Sequence, residues 1–242
     1  MTNKKIPWWE PQIGPWEYKL IKKTLDDNYV NEGLVTTEFE KKIAELLNCK
    51  HAIASTSGTT AIFLALKALG VGPEDEVIVP DMTFIATANA VNLCGAKPIL
   101  VDINPVDLNI DTTSLEKAIT EKTKAIVPVH VTGRAADLEA ILKIAKEHRL
   151  AVVEDAAEAF MSRYKGKFLG TFGDLGCFSF SPNKTISTGQ GGIIVTNDST
   201  LNTKLRALKD QGRPERGTGG NDRHDTIGYN FKFTNLQAAL GL

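Results

Sequence analysis

The sequence predicts an α/β fold: three layers, α/β/α, around a mostly parallel sheet. Two observations carry that expectation. Seven short runs rich in β-branched or small apolar residues recur along the chain, and several are apolar nearly throughout, as strands buried on both faces are. Segments with apolar residues three and four apart lie among them, and parallel strands need such helical crossovers.

In chain order, Phe39, Ile43, Leu46 and Leu47 form the first helical stripe. Strands are predicted at 51–55, 76–79, 97–101, 125–129, 151–154, 176–180 and 192–196. A helix is expected over 61–69, behind the hydroxyl-rich turn 55–60, and another over 137–146. Residues 211–221 hold four glycines, Pro214 and three charged side chains, which predicts a mobile surface loop. A last apolar helical pattern opens at Asn235 and stops at Leu242 partway into its apolar face, which reads as a chain cut short. No linker divides the chain, so residues 1–242 read as one domain.

The composition narrows the function classes. The 242 residues are 42% hydrophobic and 24% charged, which excludes a mainly disordered chain. Lysine and arginine total 28 against 29 acidic residues, a net charge of −1, so no basic excess points to nucleic acid or a membrane surface. Uncharged stretches are too short to span a bilayer, and Met1–Lys5 leads into Pro7, Trp8 and Trp9 rather than an apolar signal core. Three scattered cysteines, four histidines and the lack of CxxC or HExxH argue against a disulfide framework or a metal site. A reduced, cytoplasmic protein is the expectation.

Ligands of α/β sheets gather where strands end and helices begin, and four such places carry suitable residues. Ser55-Thr56-Ser57-Gly58-Thr59-Thr60 offers hydroxyls and free N–H groups at a helix start, a phosphate site or simply a helix cap. It is neither a P-loop nor a GxGxxG fingerprint. In Val152-Val153-Glu154-Asp155-Ala156-Ala157-Glu158, an apolar strand delivers carboxylates into small residues, where Asp155 would need a cationic partner. The alternative is that Glu154 and Asp155 cap the next helix or bind water. Lys184 follows Phe178-Ser179-Phe180-Ser181-Pro182-Asn183 and precedes Gly189-Gln190-Gly191-Gly192. A lysine held in a dry crevice there has a lowered pKa and a nucleophilic amine, although most lysines are solvated charges. Phe84 in Pro80-Asp81-Met82-Thr83-Phe84 could stack on a planar ligand, but by itself reads as core. Together these parts suit a phosphorylated, electron-accepting aldehyde: lysine to form a Schiff base, aspartate to keep a pyridine nitrogen protonated, a helix terminus for phosphate. That is the chemistry of pyridoxal phosphate (PLP).

These motifs, with Thr56–Ala61, Val77-Ile78-Val79-Pro80, Gly173-Asp174, Thr196-Asn197-Asp198 and Gly228-Tyr229-Asn230, run in the order seen in one family. From about Pro11 to its last residue the chain resembles the DegT/DnrJ/EryC1/StrS PLP-dependent sugar aminotransferases, of the aspartate aminotransferase fold type. The resemblance implies that Lys184 carries PLP and shuttles protons, and that Asp155 pairs with the ring nitrogen. It implies that Gly58, Thr59 and Ser179 hold the phosphate, that Phe84 stacks on the ring, and that Glu158 lies at the cofactor. Asn230 resembles an asparagine that reaches the phosphate from a neighbouring subunit, implying a homodimer with shared sites. Tyr29 and Asn31, in the loop 28–33, look like part of the sugar site, and Arg213 is expected to close over the nucleotide.

The implied reaction moves an amino group from L-glutamate to a keto group of a nucleotide-linked sugar. The implied product is a 4-amino-4,6-dideoxy sugar for surface polysaccharide such as O-antigen. Lys184 argues against the dehydratase branch, which has histidine there. Glu158, where many members have glutamine or histidine, resembles the branch that makes perosamine on a GDP-linked sugar. Gln190 replaces a usual glutamate, and the family's smaller C-terminal domain is missing. A relative acting on a 3-keto sugar or an aminocyclitol precursor is the other enzymatic reading; a truncated PLP-binding regulatory protein without turnover is the non-enzymatic one.

Overall fold

The computed structural model describes residues 6–214 and 222–242. Helices α1 (Pro15–Asp26) and α2 (Leu34–Leu46) precede strand β1 (His51–Ser55). Helix α3 (Gly58–Ala68) leads to β2 (Glu76–Pro80), and α4 (Ala86–Leu93) to β3 (Lys97–Val101). Then come α5 (Thr112–Lys117), β4 (Thr123–Ile126), α6 (Leu138–His148) and β5 (Ala151–Asp155). A hairpin of β6 (Arg163–Tyr164) and β7 (Lys167–Phe168) is followed by β8 (Leu175–Ser179), β9 (Gly192–Thr196), α7 (Ser199–Lys209) and α8 (Asn235–Gly241).

Seven strands form one sheet in the order β1-β9-β8-β5-β4-β2-β3. Pairs β3–β2, β2–β4, β4–β5 and β5–β8 are parallel, whereas β9 runs antiparallel to both β8 and β1. Six strands therefore share one direction.

Alternation along each strand sends side chains to both faces, and both are covered. Ile53, Val77, Val79, Val153, Cys177 and Ile194 pack beneath α3, α4 and α7. On the other face, Ala52, Ala54, Phe178 and Ile193 meet α2 and α8, while Ile78, Ile126 and Val152 meet α5 and α6. Helix α3 is buried nearly all round, from Ala61 through Leu66. Each fully buried valine, leucine, isoleucine or phenylalanine among them contributes about 1.5–3 kcal/mol on leaving water.

The structure departs from the sequence-based expectations in local ways. Leu46 is 45% exposed and lies outside the buried stripe of α2, which includes Glu40 instead. Strand β4 ends at Ile126; beyond it the chain stays beside β5 through an isolated Val129–Asp155 bridge, in which the Pro128 carbonyl accepts from Asp155 N–H at 2.9 Å and His130 N–H donates to the Asp155 carbonyl at 3.0 Å. The β6–β7 hairpin is too short to show periodicity. Of the loop expected at 211–221, residues 215–221 lie outside the described residues; Gly212 within the rest is buried. No described helix is long and apolar enough to cross a membrane.

Candidate active site at the carboxyl edge of the sheet

The register brings four segment ends to one edge. Ser55 ends β1 opposite Gly192, Ser179 ends β8 opposite the same Gly192, and Asp155 ends β5 opposite Cys177. Helix α3 starts here. Its cap is Ser57, whose Oγ accepts from Thr60 N–H at 3.1 Å while Thr60 Oγ1 accepts from Ser57 N–H at 3.0 Å. With Ser57 as cap and Thr60 closing the box, the Gly58 and Thr59 N–H groups are left without partners inside the helix. Capping and anion binding thus coexist. A Cβ on Gly58 would sit 2.8 Å from Ser179 Cβ, so the helix start and the Ser179 hydroxyl line one narrow cradle.

Glu154 and Asp155 are both buried but face opposite sides of β5. Asp155 Oδ2 accepts from Thr87 Oγ1 at 2.7 Å and Oδ1 from Ala157 N–H at 3.1 Å. Burial pushes its pKa upward; the Thr87 and Ala157 hydrogen bonds and the charge of Lys184 pull against that. Glu154 accepts from Gly170, Phe172 and Gly173 N–H at 2.8, 2.6 and 2.7 Å. His130 Nδ1 accepts from Ala136 N–H at 3.2 Å, so its proton is on Nε2, which donates to Glu154 at 2.9 Å. Glu154 is therefore structural, and neither carboxylate is a helix cap.

Lys184 sits in the turn after β8, its N–H donating to the Ser181 carbonyl at 3.0 Å. Its Nζ is 3.4 Å from Glu158 Oε1, with 17% of the Lys184 side chain and 44% of the Glu158 side chain exposed. The amine thus has a carboxylate neighbour rather than the wholly dry crevice expected. Such a part-exposed pair contributes about 0–1 kcal/mol, which positions the amine without locking it. Glu158 Oε2 is held by Thr132 N–H at 2.9 Å, and Thr132 has a left-handed backbone (φ 50°) that a β-branched residue adopts only under strain. Phe84 is 77% exposed, so the core reading of this side chain fails and its ring is free to stack.

The remaining candidates lie elsewhere on the chain. Tyr29, Asn31 and Arg213 border a separate hollow of about 730 Å³ with Glu32, Lys209 and Lys232; Lys184, Asp155, Gly58, Ser179 and Phe84 do not line it. Arg213 is held by Asp210 at 3.0 Å and Asp222 at 2.8 Å. Asn230 is exposed, bridged to Asp210 through the backbone. Sequence reasoning missed Thr87 and His130, and the buried Lys209, whose Nζ lies 2.9 Å from Glu32 and 3.3 Å from Glu40. Only the four-residue spacing of Thr83 and Thr87 hinted at any of these.

The cradle of free N–H groups, the buried acceptor Asp155, the open Phe84 ring and the Lys184 amine fit pyridoxal phosphate: an anion, a protonated ring nitrogen, a planar face and an aldehyde. Fold and site together define a PLP-binding architecture of the aspartate aminotransferase fold type. The chain belongs to the DegT/DnrJ/EryC1/StrS aminotransferase family, whose profile matches residues 11–242. It is 46% identical over 235 residues to a GDP-perosamine synthase of Caulobacter vibrioides, covering 96% of this chain and 62% of that protein. It is 42% identical over 221 residues to a UDP-N-acetyl-3-dehydro-alpha-D-glucosamine 3-aminotransferase of Acidithiobacillus ferrooxidans, covering 91% and 58%. A Streptococcus pneumoniae protein assigned as a sugar aminotransferase and solved in its PLP form superposes with a TM-score of 0.91 at 30% identity, covering 98% and 65%. The chain thus spans about three fifths of the length of the curated relatives it matches.

Proposed function

We propose that the chain is the cofactor-binding part of an aminotransferase. It would move an amino group from L-glutamate to a nucleotide-linked keto sugar destined for surface polysaccharide. We take a GDP-linked 4-keto-6-deoxy sugar as the substrate, the similarity to a protein named GDP-perosamine synthase being what supports it. The observation that carries the reading is geometric: β5 and β8 pair in parallel, so buried Asp155 at the end of one and the Lys184 turn after the other come to the same edge of the sheet.

Pyridoxal phosphate, when bound, supplies an aldehyde and an electron-accepting ring. The chain's residues do the rest. Gly58 and Thr59 N–H groups and the Ser179 hydroxyl hold the phosphate. Asp155 keeps a proton on the ring nitrogen. Phe84 covers one ring face. The Lys184 amine, kept near by Glu158, would hold the cofactor and, once displaced by the donor's amine, would be free to take and return a proton at the donor's α-carbon, a role worth about 10²–10⁴-fold in rate.

The sugar and nucleotide contacts are assigned to Tyr29, Asn31 and Arg213, and a phosphate contact to Asn230. Their separation from Lys184 within one chain supports a homodimer in which each site draws on both copies. Glu32, on the same hollow, has a buried Oε2 with no hydrogen-bond partner, an acceptor suited to a ligand hydroxyl. A second reading, a UDP-linked 3-keto sugar, is favoured by the Acidithiobacillus relative.

Borohydride reduction of the PLP-loaded chain and peptide mapping test the core assignment. A tag on Lys184, loss of the bound cofactor's visible absorbance on adding L-glutamate, and loss of both in Lys184→Ala are expected. A tag on another amine overturns it. Turnover of GDP-4-keto-6-deoxy sugar but not of UDP-3-keto sugar decides the substrate; the reverse selects the second reading.

A further inference from the structure

Thr83, in the bend before α4, and Thr87, in the first turn of that helix, have hydroxyl oxygens 2.8 Å apart. Thr87 is fully buried and reaches Asp155 Oδ2 at 2.7 Å; Thr83 is half-buried, next to the exposed Phe84. Chemistry sets the proton directions. An ionised carboxylate only accepts, so Thr87 donates to Asp155 and its own oxygen is left to accept from Thr83. The competing acceptor, the Phe84 carbonyl, is farther from Thr87 Oγ1 at 3.3 Å. The charged acceptor makes the shorter and stronger bond.

We propose that Thr87, oriented by Thr83, is a positioning residue that holds the Asp155 carboxylate toward the cofactor's ring nitrogen and ties it to the Phe84 segment on the cofactor's face. This rests on the PLP reading above. Two donors, one on each oxygen, hold Asp155 against rotation, and its remaining lone pairs are left for the ring nitrogen. The titratable groups around Asp155 are His130 from the loop before α6, Lys184 after β8, Cys177 on β8 and Glu154 on its own strand. Among the influences that favour the ionised carboxylate, the Thr87 hydroxyl is the largest. It is also the one that can be removed without changing side-chain shape.

The test is a pH titration of the full chain, without cofactor, carrying ¹³C-aspartate, followed by infrared difference spectroscopy with Asp155→Asn to assign the band. In Thr87→Val the protonated Asp155 carboxyl band should arise about one to two pH units higher than in wild type. Thr87→Ser should return it toward the wild-type position. Thr83→Val, which leaves Asp155 untouched, should shift it the same way by less, and decides the matter should Thr87→Val not fold. A Thr87→Val band coincident with wild type, a serine variant that behaves like valine, or a foldless Thr87→Val beside an unshifted Thr83→Val overturns the proposal. PLP titration of the same proteins, read by cofactor absorbance, should show weaker binding in Thr87→Val than in Thr87→Ser. Wild type that binds no PLP would sink the cofactor reading, while the infrared titration still decides the role of Thr87.

Discussion

Glu154 and Asp155 are adjacent on β5, yet their carboxylates meet opposite fates. Glu154 turns to the face of Val152 and receives four hydrogen bonds, three from the 170–173 turn and one from His130. Asp155 turns to the face of Val153 and receives two. The saturated carboxylate is a clamp; the partly satisfied one keeps capacity for a ligand. The two-residue period of a strand makes this division between neighbours possible.

The clamp is testable first. Glutamine at 154 places an NH₂ where the carboxylate accepted, opposing a buried N–H donor. Glu154→Gln is expected to cost about 2–4 kcal/mol, lowering Tm by roughly 5–15 °C. A melt within about 2 °C of wild type would show that the turn is held by other means.

Asp155→Asn should act in the opposite direction on the cofactor-free chain. Burial raises the Asp155 pKa, so the folded chain holds that proton more tightly than the unfolded chain does. Stability therefore falls as pH rises from the unfolded carboxyl value of about 3.9 through the raised native value. Above that window wild type bears the full cost of a buried charge, and the asparagine variant does not. The variant should melt higher at about pH 7.5, by about 2–4 °C for each kcal/mol relieved. The gap should close below about pH 3.5, where both side chains are neutral. PLP affinity should fall at the same time. Parallel melting curves across pH would remove the buried-charge argument.

Gly58→Ala probes the phosphate cradle. The added Cβ would meet Ser179 Cβ at 2.8 Å and push the start of α3 outward. Such overpacking costs about 1–3 kcal/mol of stability. Its specific mark is that the affinity advantage of PLP over unphosphorylated pyridoxal drops about tenfold, or ~1.4 kcal/mol. An unchanged ratio would place the phosphate elsewhere.

The proposed homodimer with shared sites predicts complementation. Lys184→Ala and Asn230→Ala should each be inactive alone, and mixing them through partial denaturation and refolding should recover activity, because one site of each mixed dimer draws on two intact residues. A mixture as inactive as its parts, or an active monomer in sedimentation, argues for sites built from one chain.

Much was legible in the linear chain. Apolar runs long enough for buried strands, hydroxyls ahead of a helix and glycines around Lys184 are local signals, since backbone geometry and capping depend on residues within a few positions. They determined the α/β class, the strand positions within a few residues and the motif that carries Lys184. The antiparallel β9, the pairing of Thr87 with Asp155, the His130–Glu154 clamp and the burial of Lys209 between Glu32 and Glu40 were settled only by the tertiary structure. Those contacts join residues 24 to 177 positions apart, and a hydrogen bond or ion pair across such separations depends on sheet register and crossover, which no local pattern encodes.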